Sequence, residues 1–212
     1  EGTPAALAEL GSKAGAAQVF AQLGLPHPRT TTLCHSLEQL RDTSAELLER
    51  HGDITGLVVK LNRMAGGRGN APLALALQPW RLRPPHERIQ QLEHALQHLA
   101  MPLPHWREEL LSNGAIAQEL ICGPSGALSS PSVQLWIDRH GATRVVSTHE
   151  QCLGGPHRQS FRGCRFPARQ AYAEKLMAMG EQLGEHLAAL GCRGAVLLDV
   201  LAQRRGNGWQ LW

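Results

Sequence analysis

The stretch Gly56-Leu-Val-Val-Lys60-Leu-Asn-Arg-Met-Ala-Gly66-Gly-Arg-Gly69-Asn-Ala71 sets an apolar, strand-like run ending at a lysine directly before a glycine-rich loop, and the apolar run 72–77 follows. A strand holds an ammonium still, and glycines let backbone N–H groups close on phosphate oxygens without Cβ obstruction. The lysine is informative because this chain avoids lysine. Only Lys13, Lys60 and Lys175 stand among 21 basic residues, which leaves 18 arginines. Where arginine is the default, a lysine before a glycine loop indicates a need for a compact point charge. The plain alternative is a hairpin turn with a solvated lysine at its edge. The loop is no Walker A, since no Lys-Ser/Thr follows its glycines, and its spacing does not fit a dinucleotide-binding GxGxxG.

Composition narrows the class. A chain of 212 residues with 42% hydrophobic and 18% charged side chains can bury a full core. The net charge of +3 is mild and the arginines are scattered, so a nucleic-acid groove is not indicated. Five tryptophans, three phenylalanines and one tyrosine are few for a base-stacking surface. Cys34, Cys122, Cys152, Cys164 and Cys192 contain no CxxC pair, which favours free thiols in a reducing cytoplasm. His86, His94, His98 and His105 invite a zinc reading, but no cysteine or carboxylate completes the set. No apolar run approaches the roughly 18 residues of a membrane span. The chain starts without methionine and stops on strand-like Gly208-Trp-Gln-Leu-Trp212, so both ends read as cut.

Along the chain, residues 3–23 read as a helix punctuated near Ser12, 29–33 as a short threonine-rich strand, and 36–50 as a helix capped by Ser36. Strands at 57–61 and 72–77 flank the glycine loop; helical stretches follow at 84–99 and 106–111. After Asn113-Gly114 the texture changes to strands at 115–121, 131–138 and 143–148. Residues 149–167 read as a long glycine- and arginine-rich loop, 168–190 as the clearest helix, and 195–202 as a strand before a turn at 205–208. The class is α+β: a small lobe around the glycine loop, then an antiparallel lobe.

Two strands, a lysine and a glycine loop ahead of an antiparallel lobe resemble an ATP-grasp module, specifically the pheganomycin-type peptide ligase branch of that superfamily. The motifs carrying the resemblance are Gly11-Ser-Lys-Ala-Gly15, Val59-Lys-Leu-Asn62 with Gly67-Arg-Gly-Asn-Ala71, Ser130-Pro-Ser-Val-Gln-Leu135, Ser147-Thr-His-Glu-Gln-Cys-Leu-Gly-Gly155, Gly163-Cys-Arg-Phe-Pro-Ala168, and Gly191-Cys-Arg-Gly194 leading to Asp199. They occur in family order over nearly the whole chain.

The resemblance implies two α+β lobes sandwiching a nucleotide, truncated at both ends: residues 1–114 as the small lobe with its preceding helix and flap, and 115–212 as the large lobe. Lys13 and Lys60 match the lysines such folds place on ATP phosphates. Gly66, Gly67, Arg68 and Gly69 match a flap over the β/γ-phosphates. Gln118, Glu119, Leu120 and Ile121 match the linker that meets the adenine edge. Many relatives hold the ribose with an acidic residue near Ser130, and here the site reads Ser130-Pro-Ser132. His149 and Gln151 match an edge that supplies groups to the phosphates and the acyl centre. Arg158, Arg162 and Arg165 suit a carboxylate or oxyanion; Arg158 and Arg162 are the catalytic candidates. Asp199 matches the first Mg²⁺ ligand; further ligands normally come as Glu-x-Asn on the next strand, where this sequence stops.

The implied activity is an ATP-dependent carboxylate–amine ligase working through an acyl-phosphate, with ATP, Mg²⁺, a small carboxylate and an amine (an amino acid or peptide) as partners. The alternative is a non-catalytic ATP/ADP-binding regulatory module that keeps the fold. An arginine-rich nucleic-acid binder ranks third. A cytoplasmic location is expected; oligomeric state and the identity of either substrate are not legible.

Overall fold

A computed structural model describes residues 9–65, 67, 69–74, 80–97, 101–123, 127–154 and 160–212. The chain divides into two compact units. Gly11–Ala17 with Pro28–Ile121 form one, and Gln18–His27 with Cys122–Trp212 make up most of the other.

The unit holding the glycine loop begins with the first residues of α1 (Lys13–Gln22). The helix starts afresh after Gly11 because the Ser12 hydroxyl accepts the Gly15 N–H at 3.0 Å, which is the punctuation expected near Ser12. Ser36 likewise caps α2 (Leu37–Arg50), its hydroxyl accepting the Gln39 N–H at 3.2 Å. A three-stranded antiparallel sheet orders as β2 (Asn70–Ala74), β1 (Gly56–Leu61) and β3 (Ala115–Glu119). Helices α3 (Pro85–Leu96) and α4 (Leu103–Asn113) complete it. Alternation along β1 sends Leu57, Val59 and Leu61 into a core with Leu40, Leu47, Trp80 and Trp106, and turns Val58 and Lys60 to the opposite face. The threonine-rich segment forms no strand; it contributes single bridges, Thr30 to Gln118 and Cys34 to Ala115.

In the other unit, β4 (Leu128–Ser129) is followed by β5 (Pro131–Ile137), β6 (Thr143–Gly154), β7 (Ser160–Arg165), α5 (Gln170–Ala189), β8 (Gly194–Asp199), β9 (Ala202–Arg205) and β10 (Gly208–Leu211). One sheet runs β7-β6-β5-β8, another β10-β9-β4. Helix α5 lays Tyr172, Leu176, Met179 and Leu183 against Val133, Leu135, Ile137 and Leu198. Its approach is close: a Cβ on Gly180 would lie 3.0 Å from both Val133 Cγ2 and Leu135 Cδ2.

Two further sequence expectations are corrected. Residues 149–154 continue β6, and 160–165 pair with it antiparallel, so much of the expected 149–167 loop is sheet. Arginines and glycines disguise it because β7 is an edge strand, where exposed polar side chains are tolerated. Strand β3 pairs along β1, and the compact unit that holds both runs to Ile121. The expected 195–202 strand is two strands in different sheets, β8 and β9. Among the described residues no helix is long and apolar enough to cross a membrane.

Replacing Gly180 by leucine forces a branched side chain between α5 and β5, and unfolding free energy should fall by roughly 1–3 kcal/mol. Urea denaturation followed by tryptophan fluorescence checks this; an unchanged midpoint would show that helix and sheet are not in close contact at this position.

Candidate functional site

Lys60 and Lys13 are brought together. Lys60 leaves β1 on the face opposite the helices, and its ammonium donates to Gln118 Oε1 at 2.6 Å. Gln118 lies diagonally across the ladder, two residues beyond Ile116, the direct partner of Lys60. Lys13 is anchored by its backbone: its N–H donates to Asn62 O at 3.0 Å, and the Ala14 N–H to Asn62 Oδ1 at 3.0 Å. Its ammonium donates to Met64 O. Asn62, buried at the end of β1, thus fixes the start of α1 beside the strand that carries Lys60.

Neither lysine has a carboxylate partner among the described residues. Burial therefore acts on both unopposed: desolvation lowers Lys13, and desolvation with the Lys13 charge lowers Lys60 to about 8. Two desolvated ammonium groups held by neutral oxygens form a place that lacks an anion. The group that fits is a polyanion of phosphate type.

Two of the flap glycines are described. Gly67 has φ 74°, a left-handed conformation that favours glycine, and its carbonyl accepts the Asn70 N–H at 3.1 Å. Gly69 passes so close to Leu61 that a Cβ would sit 2.8 Å from Leu61 Cδ1, and its carbonyl accepts the Trp106 indole N–H at 3.3 Å. Gly66, Arg68 and Arg158 lie outside the described residues.

The linker is partly committed already. The Glu119 N–H donates to Arg29 O at 2.7 Å and the Leu120 N–H to Gly56 O at 2.9 Å. The Glu119 carboxylate faces the Arg29 guanidinium at 3.5 Å, and Arg29 also makes a two-point pair with Asp53. Among the described residues the Ile121 N–H has no backbone partner.

In the other unit, the ladder aligns Ser132 with both Asp199 and His149. Ser132 Oγ donates to Asp199 Oδ1 at 2.7 Å; Gln151 Nε2 donates to the same oxygen at 2.7 Å and to Ser132 Oγ at 2.5 Å. The Gln151 backbone N–H donates to Ser130 O at 2.8 Å, so Ser130 contributes its carbonyl here. His149 shares this sheet face, 8% exposed, with its ring 5.1 Å from that of Phe166 and its Nδ1 without a hydrogen-bond partner. Arg162 is exposed on β7, its side chain lying over Gly154. Glu150, next to His149, accepts the buried Tyr172 hydroxyl and the Arg169 N–H and has a packing role.

Among the described residues no three histidine, cysteine or carboxylate side chains converge as metal ligands. Asp199 alone, an exposed carboxylate at a strand end, fits an ion that takes one or two carboxylates together with phosphate oxygens and water, which is the habit of Mg²⁺. Sequence reasoning missed Ser132 and Asn62 as supports. The signal for Ser132 is its register opposite Asp199, and register is not readable before the strands are paired.

No family model matches the chain. It is 28% identical over 215 residues to L-propargylglycine–L-glutamate ligase of Streptantibioticus cattleyicolor, covering 97% of this chain and 41% of that protein. Among solved structures, the biotin carboxylase domain of Hydrogenobacter thermophilus 2-oxoglutarate carboxylase, in complex with MgADP and bicarbonate, superposes with TM-score 0.66 at 14% identity, over 97% of this chain and 40% of that one. The ADP complex of N5-carboxyaminoimidazole ribonucleotide synthetase gives TM-score 0.64 at 16% identity, over 98% and 44%. The chain thus spans about two fifths of the length of each of these three proteins.

The lysine pair has a consequence for stability. The folded state holds Lys60 near 8 against an ordinary value of 10.5, so below pH 8 the folded chain carries a charge it disfavours. The penalty fades as pH rises from about 8 to 10.5, and ligand-free stability should rise over that window. At one pKa unit per ~1.4 kcal/mol, Lys60→Met should stabilise the ligand-free protein by on the order of 2–3 kcal/mol at pH 7, and by little at pH 10.5. Denaturant melts of both proteins at the two pH values check this; equal stability at pH 7 would mean the ammonium is solvated.

Proposed function

The chain has the ATP-grasp fold, and we propose that it is the ATP-binding core of an ATP-dependent carboxylate–amine ligase, one that joins a small carboxylate to the amine of an amino acid or peptide. The observation carrying this reading is the pair Lys13 and Lys60, partly desolvated together with no carboxylate partner among the described residues. The ligase chemistry in the name of the 28% identical relative supports the reaction class.

In this reading a carboxylate oxygen of the first substrate attacks the γ-phosphorus of ATP and ADP leaves. The amine nitrogen then attacks the carbonyl carbon, the carbon–oxygen bond to phosphate breaks, inorganic phosphate departs, and the ammonium proton is lost to solvent. Lys13 and Lys60 hold phosphate oxygens and oppose the charge that gathers on them. Their compact ammonium groups suit that task, since each can face several oxygens without a fixed fork. Gly67 and Gly69 let the flap backbone approach the phosphates. The Ile121 N–H meets the adenine edge. His149 and Arg162, with Arg158, are assigned to the acyl centre and its oxyanion. Asp199 is the residue that would hold Mg²⁺, which supplies charge neutralisation at the phosphates.

The competing reading, a nucleotide-binding regulator, draws on Ser130-Pro131-Ser132 standing where many relatives carry an acid. Turnover separates the two: a ligase releases ADP only when a carboxylate is present, and hydroxylamine in place of the amine traps the acyl-phosphate as a hydroxamate. A regulator binds ATP and releases no ADP under any pairing.

Calorimetric titration of the intact protein with a non-hydrolysable ATP analogue tests the phosphate assignment. Lys60→Met and Lys13→Met should each weaken binding by about 10- to 100-fold, the worth of one charged hydrogen bond. In the wild type, affinity should fall as pH rises above about 8, where Lys60 sheds its proton. Binding indifferent to both substitutions would sink the assignment.

A further inference from the structure

We propose that Ser132 and Gln151 are positioning residues that hold Asp199 as a one-oxygen ligand, so that this carboxylate favours a small octahedral cation over Ca²⁺. The inference rests on the reading of Asp199 as a Mg²⁺ ligand. Three neighbouring strands build the arrangement: Ser132 on β5 lies between Asp199 on β8 and His149 on β6, and Gln151 follows two residues on, on the same face. Both hydrogen bonds to the carboxylate land on Oδ1, from Ser132 Oγ and Gln151 Nε2, each at 2.7 Å. The third side of the triangle, Gln151 Nε2 to Ser132 Oγ at 2.5 Å, uses the hydroxyl as acceptor while it donates to Asp199. Ser132 is fully buried, and the Gln151 backbone is tied to Ser130, which anchors both donor residues in the sheet beside the carboxylate.

An unrestrained aspartate at a strand end samples several rotamers and offers one oxygen or two. Here Oδ1 is engaged twice, and Oδ2 is the oxygen left for a cation. Mg²⁺ and Mn²⁺ accept single carboxylate oxygens in octahedral shells, whereas Ca²⁺ takes more ligands and often chelates both oxygens. Chelation at Asp199 would have to displace at least one of the two bonds to Oδ1. Partners of a ligating carboxylate commonly change metal affinity by about 10- to 100-fold when removed.

Electron paramagnetic resonance of Mn²⁺ at saturating ADP, with Ca²⁺ as competitor, tests this on the intact protein and its Ser132→Ala, Gln151→Leu and Asp199→Asn variants. Saturation with ADP is verified for each. Ser132→Ala and Gln151→Leu should each weaken Mn²⁺ binding about 10- to 100-fold and lower the preference for Mn²⁺ over Ca²⁺. A general loss of packing would lower affinity for both ions alike, so the shift in preference is the signature of positioning. Two variants at separate strands guard against one failing to fold. Unchanged Mn²⁺ affinity and unchanged preference in both, with Mn²⁺ lost in Asp199→Asn, overturn this proposal alone. Mn²⁺ retained in Asp199→Asn overturns the proposal and the metal reading beneath it, and absence of ADP binding in the wild type overturns the nucleotide reading.

Discussion

Two partly desolvated ammonium groups held close together, with no carboxylate partner among the described residues, are the constraint on which this structure turns. Each is fixed by neutral oxygens, Lys60 by Gln118 and Lys13 by the Met64 carbonyl. In a chain with 18 acidic residues a counter-ion is easily found, and Arg29 has two in Asp53 and Glu119. Leaving the lysines without one lowers the stability of the ligand-free fold. The framework must therefore be rigid enough to keep them in place. A β-strand paired on both sides, a buried asparagine docking the start of α1, and a core with two fully buried tryptophans provide that rigidity.

The other unit meets a different requirement by the same means, which is register. Side chains paired across an antiparallel ladder share a face, so the alignment of Ser132 with Asp199 decides that a hydroxyl meets the carboxylate. A slip of one residue would turn Asp199 toward α5 and Leu198 to the outside. The packing of α5 prevents it, because Val133, Leu135 and Leu198 are buried only in the observed register. The apolar core beneath the sheet thereby sets the chemistry on its upper face.

Much of this was legible in the sequence, and the misses have physical causes. The rarity of lysine pointed to Lys13 and Lys60, and the alternation of apolar residues placed β1. The 20-residue α5 read clearly because a long helix repeats its pattern over several turns. The continuation of β6 through residues 149–154 did not, since beyond Glu150 it pairs with the edge strand β7 alone and keeps little hydrophobic alternation. Ser132 as a support for Asp199 was invisible for a deeper reason: the two residues are 67 positions apart and meet only through pairing. The same holds for Gln118, read as an adenine contact, whose side-chain oxygen is taken by Lys60 from 58 positions away.

The choice of lysine over arginine at positions 13 and 60 follows from the same energetics. A guanidinium keeps its charge under any desolvation a fold can impose, and brings five donors that need acceptors. At Lys60 a single glutamine oxygen is the side-chain acceptor. An arginine there would leave several buried donors unmatched and a permanent charge in a dry place, with no way to relax when no ligand is bound. A lysine relaxes by holding its proton less tightly, which is what a value near 8 expresses. An anion bound at the pair would restore the preference for the charged form. In a chain that uses arginine almost everywhere else, lysine stands at two positions where a partly desolvated charge has no carboxylate partner among the described residues, and there a charge that can relax is less costly than one that cannot.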